Sequence, residues 1–274
     1  MAKRILVAVI GLPVLLCVIL FLPDICWAVV VALISGMAAY ELMNAAGEGK
    51  ITRSMRVFVL LSALLIPLGV WAGWAIPTAG LCIYLVMAVS FWCAIRAYNE
   101  GDVSIGFYHV MLTMFAGSVL PLGLSALVQL RGMEQGRSLV LLALLLNFAT
   151  DSVAYFGGIF LGKHRGVLPV SPKKSLEGYI SGFVGGAAFA VIYGLVIKTI
   201  LDCKVNLLIL AICGLVSALF TELGDLAFSF IKRQYGIKDY GHILPGHGGM
   251  LDRFDSMIFS APVVLFIVTY LPVF

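Results

Sequence analysis

Glu222, Asp225 and Ser229 are spaced by three and four residues inside an apolar stretch, which puts them on one face of a helix. Asp252 and Asp255 repeat the three-residue spacing at the opening of the next apolar stretch. Carboxylates there must be neutralised, because an ionised group at mid-bilayer costs about 2.5–3.5 kcal/mol on insertion scales. A divalent cation held by oxygen ligands removes that cost, and Asp252 and Asp255 are placed to complete its site. Between the two carboxylate pairs lie Lys232, Arg233 and Lys238, then Pro245, Gly246, His247, Gly248 and Gly249. Glycines let backbone come close to a ligand. A glycine-rich turn alone is weak evidence, but beside fixed cations and paired carboxylates it points to metal and phosphate chemistry.

Two further polar clusters precede this one. Asn147, Asp151 and Tyr155 recur every four residues and share a helix face. Asp151 reads as functional, with an interhelical hydrogen bond as the plainer alternative. Gly158 and Gly162 permit close approach of another helix, and Lys163, His164 and Arg165 follow. The other cluster runs from Ser171 through Lys173, Lys174 and Ser175 to Glu177 and Gly178. Ser175 suits an N-cap and Glu177 a first helical turn. Two lysines ahead of a helix N-terminus make an anion site, although lysines flanking a membrane helix are also ordinary topology signals. Gly178, Gly182 and Gly186 form a small-residue stripe suited to packing. Zinc binding by His242 and His247 is disfavoured, since no cysteine lies nearby and their spacing is not helical. His109 and His164 sit at span edges with no partner visible in the sequence.

The elements that must position these groups are membrane helices. The chain has 274 residues, 62% hydrophobic and 12% charged, with a mean hydropathy of +1.08. The expected fold is all-α and polytopic. Charge, Pro and Gly bound nine spans, at approximately 5–22, 25–43, 57–72, 76–95, 106–128, 138–161, 178–200, 206–231 and 256–273. The boundary at Gly73 to Pro77 is the least defined. With the N-terminus in the cytoplasm, all the Lys and Arg except Arg131, Arg137, Lys198 and Lys204 fall inside, as the positive-inside rule requires. The first apolar run is too long for a secretory signal and reads as an uncleaved helix. The net charge of +4 lies in short loops beside spans, which argues for topology and headgroup contact rather than nucleic-acid binding. The six cysteines are scattered through apolar segments and read as small hydrophobes. Residues 1–137 carry almost no buried ionisable group and read as scaffold. Residues 138–274 carry the chemistry, with all three clusters at cytoplasmic helix ends where they can converge.

The run from Ser229 to Asp255 resembles the signature of the phosphatidate cytidylyltransferases, or CDP-diacylglycerol synthases, and meets its fixed positions throughout. The stretches Asp151 to His164 and Ser171 to Gly178 are also similar to that family. Ser152 and Val153 stand where the family has Thr-Gly, and Ser175 where it has Thr. The first five spans match only in hydrophobic character.

The resemblance implies condensation of CTP with phosphatidate to CDP-diacylglycerol and diphosphate, with Mg²⁺ and room for a second cation, at the surface of the inner membrane on its cytoplasmic side. It further implies a homodimer. On this reading Asp225 and Asp252 hold the metal, with Asp255, Glu222 and Asp151 as further ligands or supports. Lys173, Lys174 and Lys238 hold phosphates, and Lys232 and Arg233 face the lipid headgroup. His247, Gly248 and Gly249 bring backbone to the triphosphate. Tyr155, Ser171, Ser175, Ser229 and Arg253 complete the expected substrate contacts. A CTP-dependent polyprenol kinase would share these groups but would need an acceptor for the alcohol's proton. An ion-coupled transporter is disfavoured because the polar groups lie in one half and on one membrane face.

Overall fold

A computed structural model of the chain describes residues 2–166, 168–172, 174–243, 246, 248–271 and 273–274, with backbone alone at 2–8, 10 and 12. The helices are α1 (Ala2–Phe21), α2 (Asp24–Ala46), α3 (Arg53–Trp71), α4 (Ala75–Asn99), α5 (Phe107–Met114), α6 (Leu120–Arg131), α7 (Gly136–Phe160), α8 (Leu176–Leu201), α9 (Leu207–Gln234) and α10 (Leu251–Tyr270). A π-helical turn, Phe115–Val119, joins α5 to α6, so one helical run extends over Phe107–Arg131. Among the described residues there is no strand, and Arg165 and Ser175 form an isolated bridge.

The protein is all-α, and among the described residues seven helical runs are long and apolar enough to cross a membrane: those from α2, α3, α4, the α5–α6 run, α7, α8 and α9. It is therefore a multi-pass membrane protein. Each of the nine spans drawn from the sequence overlaps one helical run. The doubtful boundary is real: α3 stops at Trp71, Gly73 takes a φ of +79°, and α4 starts at Ala75.

The chain divides into two compact units, Met1–Gly132 with Gln234–Phe254, and Met133–Arg233 with Asp255–Phe274. The segment Gln234–Phe254 thus clusters with the first six helices, whereas the sequence division near residue 137 had left it with the second half.

In the first unit α2 packs on α3 and α6. Trp27, fully buried on α2, donates its indole N–H to the Leu127 carbonyl at 3.0 Å. The π turn widens the helix and loosens its ladder, a common cause of free carbonyls. Ser62 of α3 donates to the Gly117 carbonyl, and Ser118 donates back to the Met114 carbonyl. Buried Arg131 pairs with Asp24 at 3.1 Å and donates to the Leu22 carbonyl, tying the end of α6 to the α1–α2 turn.

In the second unit, small residues bring helices nearly backbone to backbone. A Cβ on Gly178 of α8 would lie 2.9 Å from the Ala154 carbonyl of α7. One on Gly224 of α9 would lie 2.8 Å from the Ser256 Cα of α10. At the centre is Asn147 of α7, whose amide donates to Ser260 Oγ at 2.6 Å and to the Ala143 carbonyl, and accepts from Thr221 Oγ1 at 3.2 Å. One side chain therefore ties α7 to α9 and α10. Replacing it in Asn147→Leu strands the fully buried Thr221 and Ser260 hydroxyls, at an expected cost of about 1–3 kcal/mol. Thermal unfolding in detergent measures this, and an unchanged midpoint would show that the tie contributes nothing.

Candidate functional site

Glu222 of α9 is 2% exposed, and Asp225 follows it by one helical turn. Both converge on one cation. Lys174 Nζ lies 2.7 Å from Glu222 Oε2 and 2.8 Å from Asp225 Oδ2, with the Tyr179 ring 5.3 Å away. Burial alone would lower the Lys174 pKa, but Asp225 and then Glu222 more than offset it and hold the ammonium above its ordinary value. Lys174 is therefore charged throughout the physiological range. The second oxygen, Glu222 Oε1, is buried with no hydrogen-bond partner among the described residues, as are Thr150 Oγ1 and the Tyr179 hydroxyl. Gly182 leaves room at this oxygen, since its Cβ would stand 3.2 Å from it.

The backbone presenting Lys174 is fixed by local chemistry. Ser175 Oγ accepts the Gly178 N–H at 3.1 Å, the N-cap expected from the sequence. The Leu176 N–H donates to the His164 carbonyl, and His164 Nδ1 meets Glu177 Oε1 at 2.5 Å. His164 thus has the partner that its sequence context hid, and it closes the base of the α7–α8 loop. Turns at Leu168–Ser171 and Ser171–Lys174 carry the chain to the lysine. These same bonds use up the Leu176 and Gly178 N–H groups. Anion attraction at this helix start therefore rests on lysine charge more than on unused backbone donors.

Asp255 of α10 is buried. Its Oδ1 accepts the Ser256 N–H at 2.8 Å, and Lys232 Nζ lies 3.8 Å from its Oδ2. Ser229 is half-buried on α9, Arg233 is exposed, and Ser171 is half-buried in the α7–α8 loop. Asp151 and Tyr155 are exposed near the end of α7, away from the buried Asn147 on the same face. Lys173 lies outside the described residues.

The first unit holds a different assembly. Asp252 Oδ2 accepts the N–H groups of Tyr240 at 2.8 Å and Gly249 at 3.0 Å, so this carboxylate ties both ends of the segment that precedes α10. Gly248 takes a φ of +84°, which only glycine adopts without strain, and a Cβ there would stand 3.2 Å from Asp252 Oδ2. Lys238 and Arg253 are exposed, and His247 lies outside the described residues.

A residue absent from the sequence reading also acts here. Glu41 of α2 is 3% exposed and accepts the N–H groups of Met250 and Leu251 at 3.0 and 2.8 Å. The N-terminal half is thus not purely scaffold. The available signal was a lone carboxylate deep in an apolar span, the same signal that singled out Asp151.

Among the described residues, no three His, Cys, Asp or Glu side chains gather into a metal-holding group. Glu222 and Asp225, with the unpartnered Glu222 Oε1, are carboxylates that could hold Mg²⁺ only in exchange for the Lys174 ammonium now bound to both. Mg²⁺ takes one or two carboxylates and fills its remaining positions with water and substrate phosphate.

The chain is thus a multi-pass membrane protein with a cation–carboxylate cluster in one unit and a carboxylate-bound glycine turn in the other. The chain belongs to the cytidylyltransferase family, whose model it matches over residues 2–271. It is similar to proteins named phosphatidate cytidylyltransferase from Staphylococcus epidermidis, 40% identical over 131 residues, and from Staphylococcus saprophyticus and Staphylococcus aureus, each 42% identical over 131 residues. Those matches cover 48% of this chain and 49% of each relative. The chain thus spans about half the length of the curated relatives it matches.

Lys174→Met leaves Glu222 and Asp225 uncompensated, and the expected loss of stability is about 3 kcal/mol. Lys174→Met/Glu222→Gln removes both sides of the pair and regains most of it. A double-variant effect equal to the sum of the Lys174→Met and Glu222→Gln single effects, measured by thermal unfolding, would show that the two charges are uncoupled.

Proposed function

We propose that the protein is a phosphatidate cytidylyltransferase, converting CTP and phosphatidate to CDP-diacylglycerol and diphosphate in phospholipid biosynthesis. The observation that carries this reading is the Lys174, Glu222 and Asp225 cluster: a cation from the loop before α8 held by a buried and a half-buried carboxylate of α9. The names of the relatives and the continuous run from Ser229 to Asp255 support it.

A phosphate oxygen of phosphatidate attacks the α-phosphorus of CTP. The new P–O bond forms as the bond to the β-phosphate bridging oxygen breaks, and diphosphate leaves with its electron pair. The nucleophile is already anionic, with a second pKa near ~6 for a phosphate monoester, so no strong general base is needed. The difficulty is bringing two polyanions together, and fixed positive charge lowers it. Lys174 supplies such charge at the start of α8, and Lys173 beside it in sequence is assigned the same task. Lys232 and Arg233, at the end of α9, are assigned to the lipid headgroup.

Glu222 and Asp225 would hold Mg²⁺, with Asp255 in support. The metal, when bound, neutralises phosphate oxygens and the departing diphosphate. In the first unit, Asp252 fixes the turn containing Gly248 and Gly249, which is assigned to nucleotide phosphates together with Lys238.

The placement of most Lys and Arg on one side of the membrane supports a cytoplasmic site in the inner membrane, with phosphatidate arriving from the adjacent leaflet. A homodimer also belongs to this reading. It is supported by α4, the least buried of the seven long apolar runs, which offers a face to lipid or a second copy.

The purified protein in detergent, given labelled CTP and phosphatidate, is expected to yield CDP-diacylglycerol and diphosphate. EDTA should abolish turnover, and Asp225→Asn should lower it by at least about a hundredfold, the scale of removing a group that stabilises transition-state charge. Lipid phosphate plus CDP as products would instead identify a kinase. Undiminished turnover with EDTA would remove the metal from the reading.

A further inference from the structure

We infer that Glu41 is a positioning residue for nucleotidyl transfer, holding the backbone at the start of α10 from a helix some two hundred residues earlier. The inference rests on the proposed function for its catalytic part and on hydrogen bonding alone for its structural part.

After Asp24 in the first turn, Glu41 is the one Asp, Glu, Lys, Arg or His in α2. A carboxylate buried in an apolar helix is retained only where it is compensated. The compensation here comes from main chain. Helix α10 begins at Leu251, and the residue before it, Met250, has no side-chain oxygen with which to cap the helix. The first N–H groups of any helix lack intrahelical partners and carry the positive end of its dipole. Glu41 meets that need from across 209 and 210 residues of sequence, with Oε1 taking the Met250 N–H and Oε2 the Leu251 N–H.

Two glycines fit around the same carboxyl group. A Cβ on Gly249 would lie 2.5 Å from Glu41 Oε2, and one on Gly241 would collide with Glu41 Oε1. Neither residue has a positive φ, unlike Gly246 and Gly248. The glycines of this segment thus answer two demands: a left-handed turn at 246 and 248, and contact with Glu41 at 241 and 249.

Asp252 binds the same stretch from within the helix, through the N–H groups of Tyr240 and Gly249. The three successive N–H groups of Gly249, Met250 and Leu251 are therefore all held by carboxylates, one from Asp252 and two from Glu41. The position of Asp252 and the shape of the glycine turn follow from this clamp. Glu41 itself touches only main chain of this segment in these contacts, so its part in catalysis is indirect.

The test compares wild type with Glu41→Gln and Glu41→Ala by hydrogen–deuterium exchange of the peptide covering 248–254, and by steady-state kinetics with CTP and phosphatidate. Glu41→Ala is expected to speed exchange at 250 and 251 by at least about tenfold, the size of one lost hydrogen bond of about 1.4 kcal/mol. It is also expected to raise KM for CTP and to lower kcat, while KM for phosphatidate changes less. Glu41→Gln keeps the shape and one acceptor oxygen and should fall between. Gly249→Ala alone should be impaired, and Gly249→Ala/Glu41→Asp, whose shorter side chain makes room for the methyl, should recover part of the loss.

Unchanged exchange in both Glu41 variants would overturn the inference. So would a loss of activity in Glu41→Gln that only tracks the fraction of folded protein, with both KM values at wild-type levels. If Glu41→Ala fails to fold, Glu41→Gln and the Gly249→Ala pair decide the matter. A wild-type protein that makes no CDP-diacylglycerol would overturn the proposed function, while faster exchange in the variants would still establish the clamp.

Discussion

Charge inside apolar helices is the constraint on which this structure turns. Each buried ionisable group must find a partner within the protein, because lipid supplies none. Three chemically different solutions occur. Glu222 and Asp225 share the Lys174 ammonium. Glu41 takes the unpaired N–H groups at a helix start. Arg131 pairs with Asp24 and a turn carbonyl. The first joins residues assigned to chemistry, the second holds a turn and a helix start, and the third joins a helix end to a turn and reads as architecture.

Close packing makes the first solution possible. Glycines on α8 and α9 remove the side chains that would otherwise hold helices apart, so the loop before α8 can deliver Lys174 to carboxylates on α9. Asn147 then fixes α7 against α9 and α10 through neutral hydrogen bonds with Thr221 and Ser260, a polar tie that adds no charge to the interior. The Lys174 ammonium is held between the two carboxylates at 2.7 and 2.8 Å. Electrostatic catalysis needs such fixed dipoles and charges, since their orientation is then set before the substrate arrives.

The same economy appears in how the backbone is used. At the start of α8, Ser175 and His164 consume the N–H groups that could have bound an anion, and charge is left to lysine. At the start of α10, two carboxylates consume the N–H groups and thereby shape a turn. Helix N-termini are ready anion sites in general, but here both serve mainly to hold side chains and loops in register.

Much of the fold is written in local pattern. Apolar runs bounded by charge and Gly or Pro place the helices, because spanning length and helical period are properties of short stretches of chain. The N-cap at Ser175 and the buried face bearing Glu222 follow from spacing alone. What pairs with what does not. Lys174 could have served only as a topology signal until its distance to Glu222 and Asp225 was known, His164 showed no partner until Glu177 folded beneath it, and nothing local connects Glu41 to Met250 and Leu251. A helix period reports which residues share a face, but the groups opposite that face are chosen by tertiary packing, where residues two hundred positions apart meet only because burial leaves an unpaired donor and an unpaired acceptor no better partner.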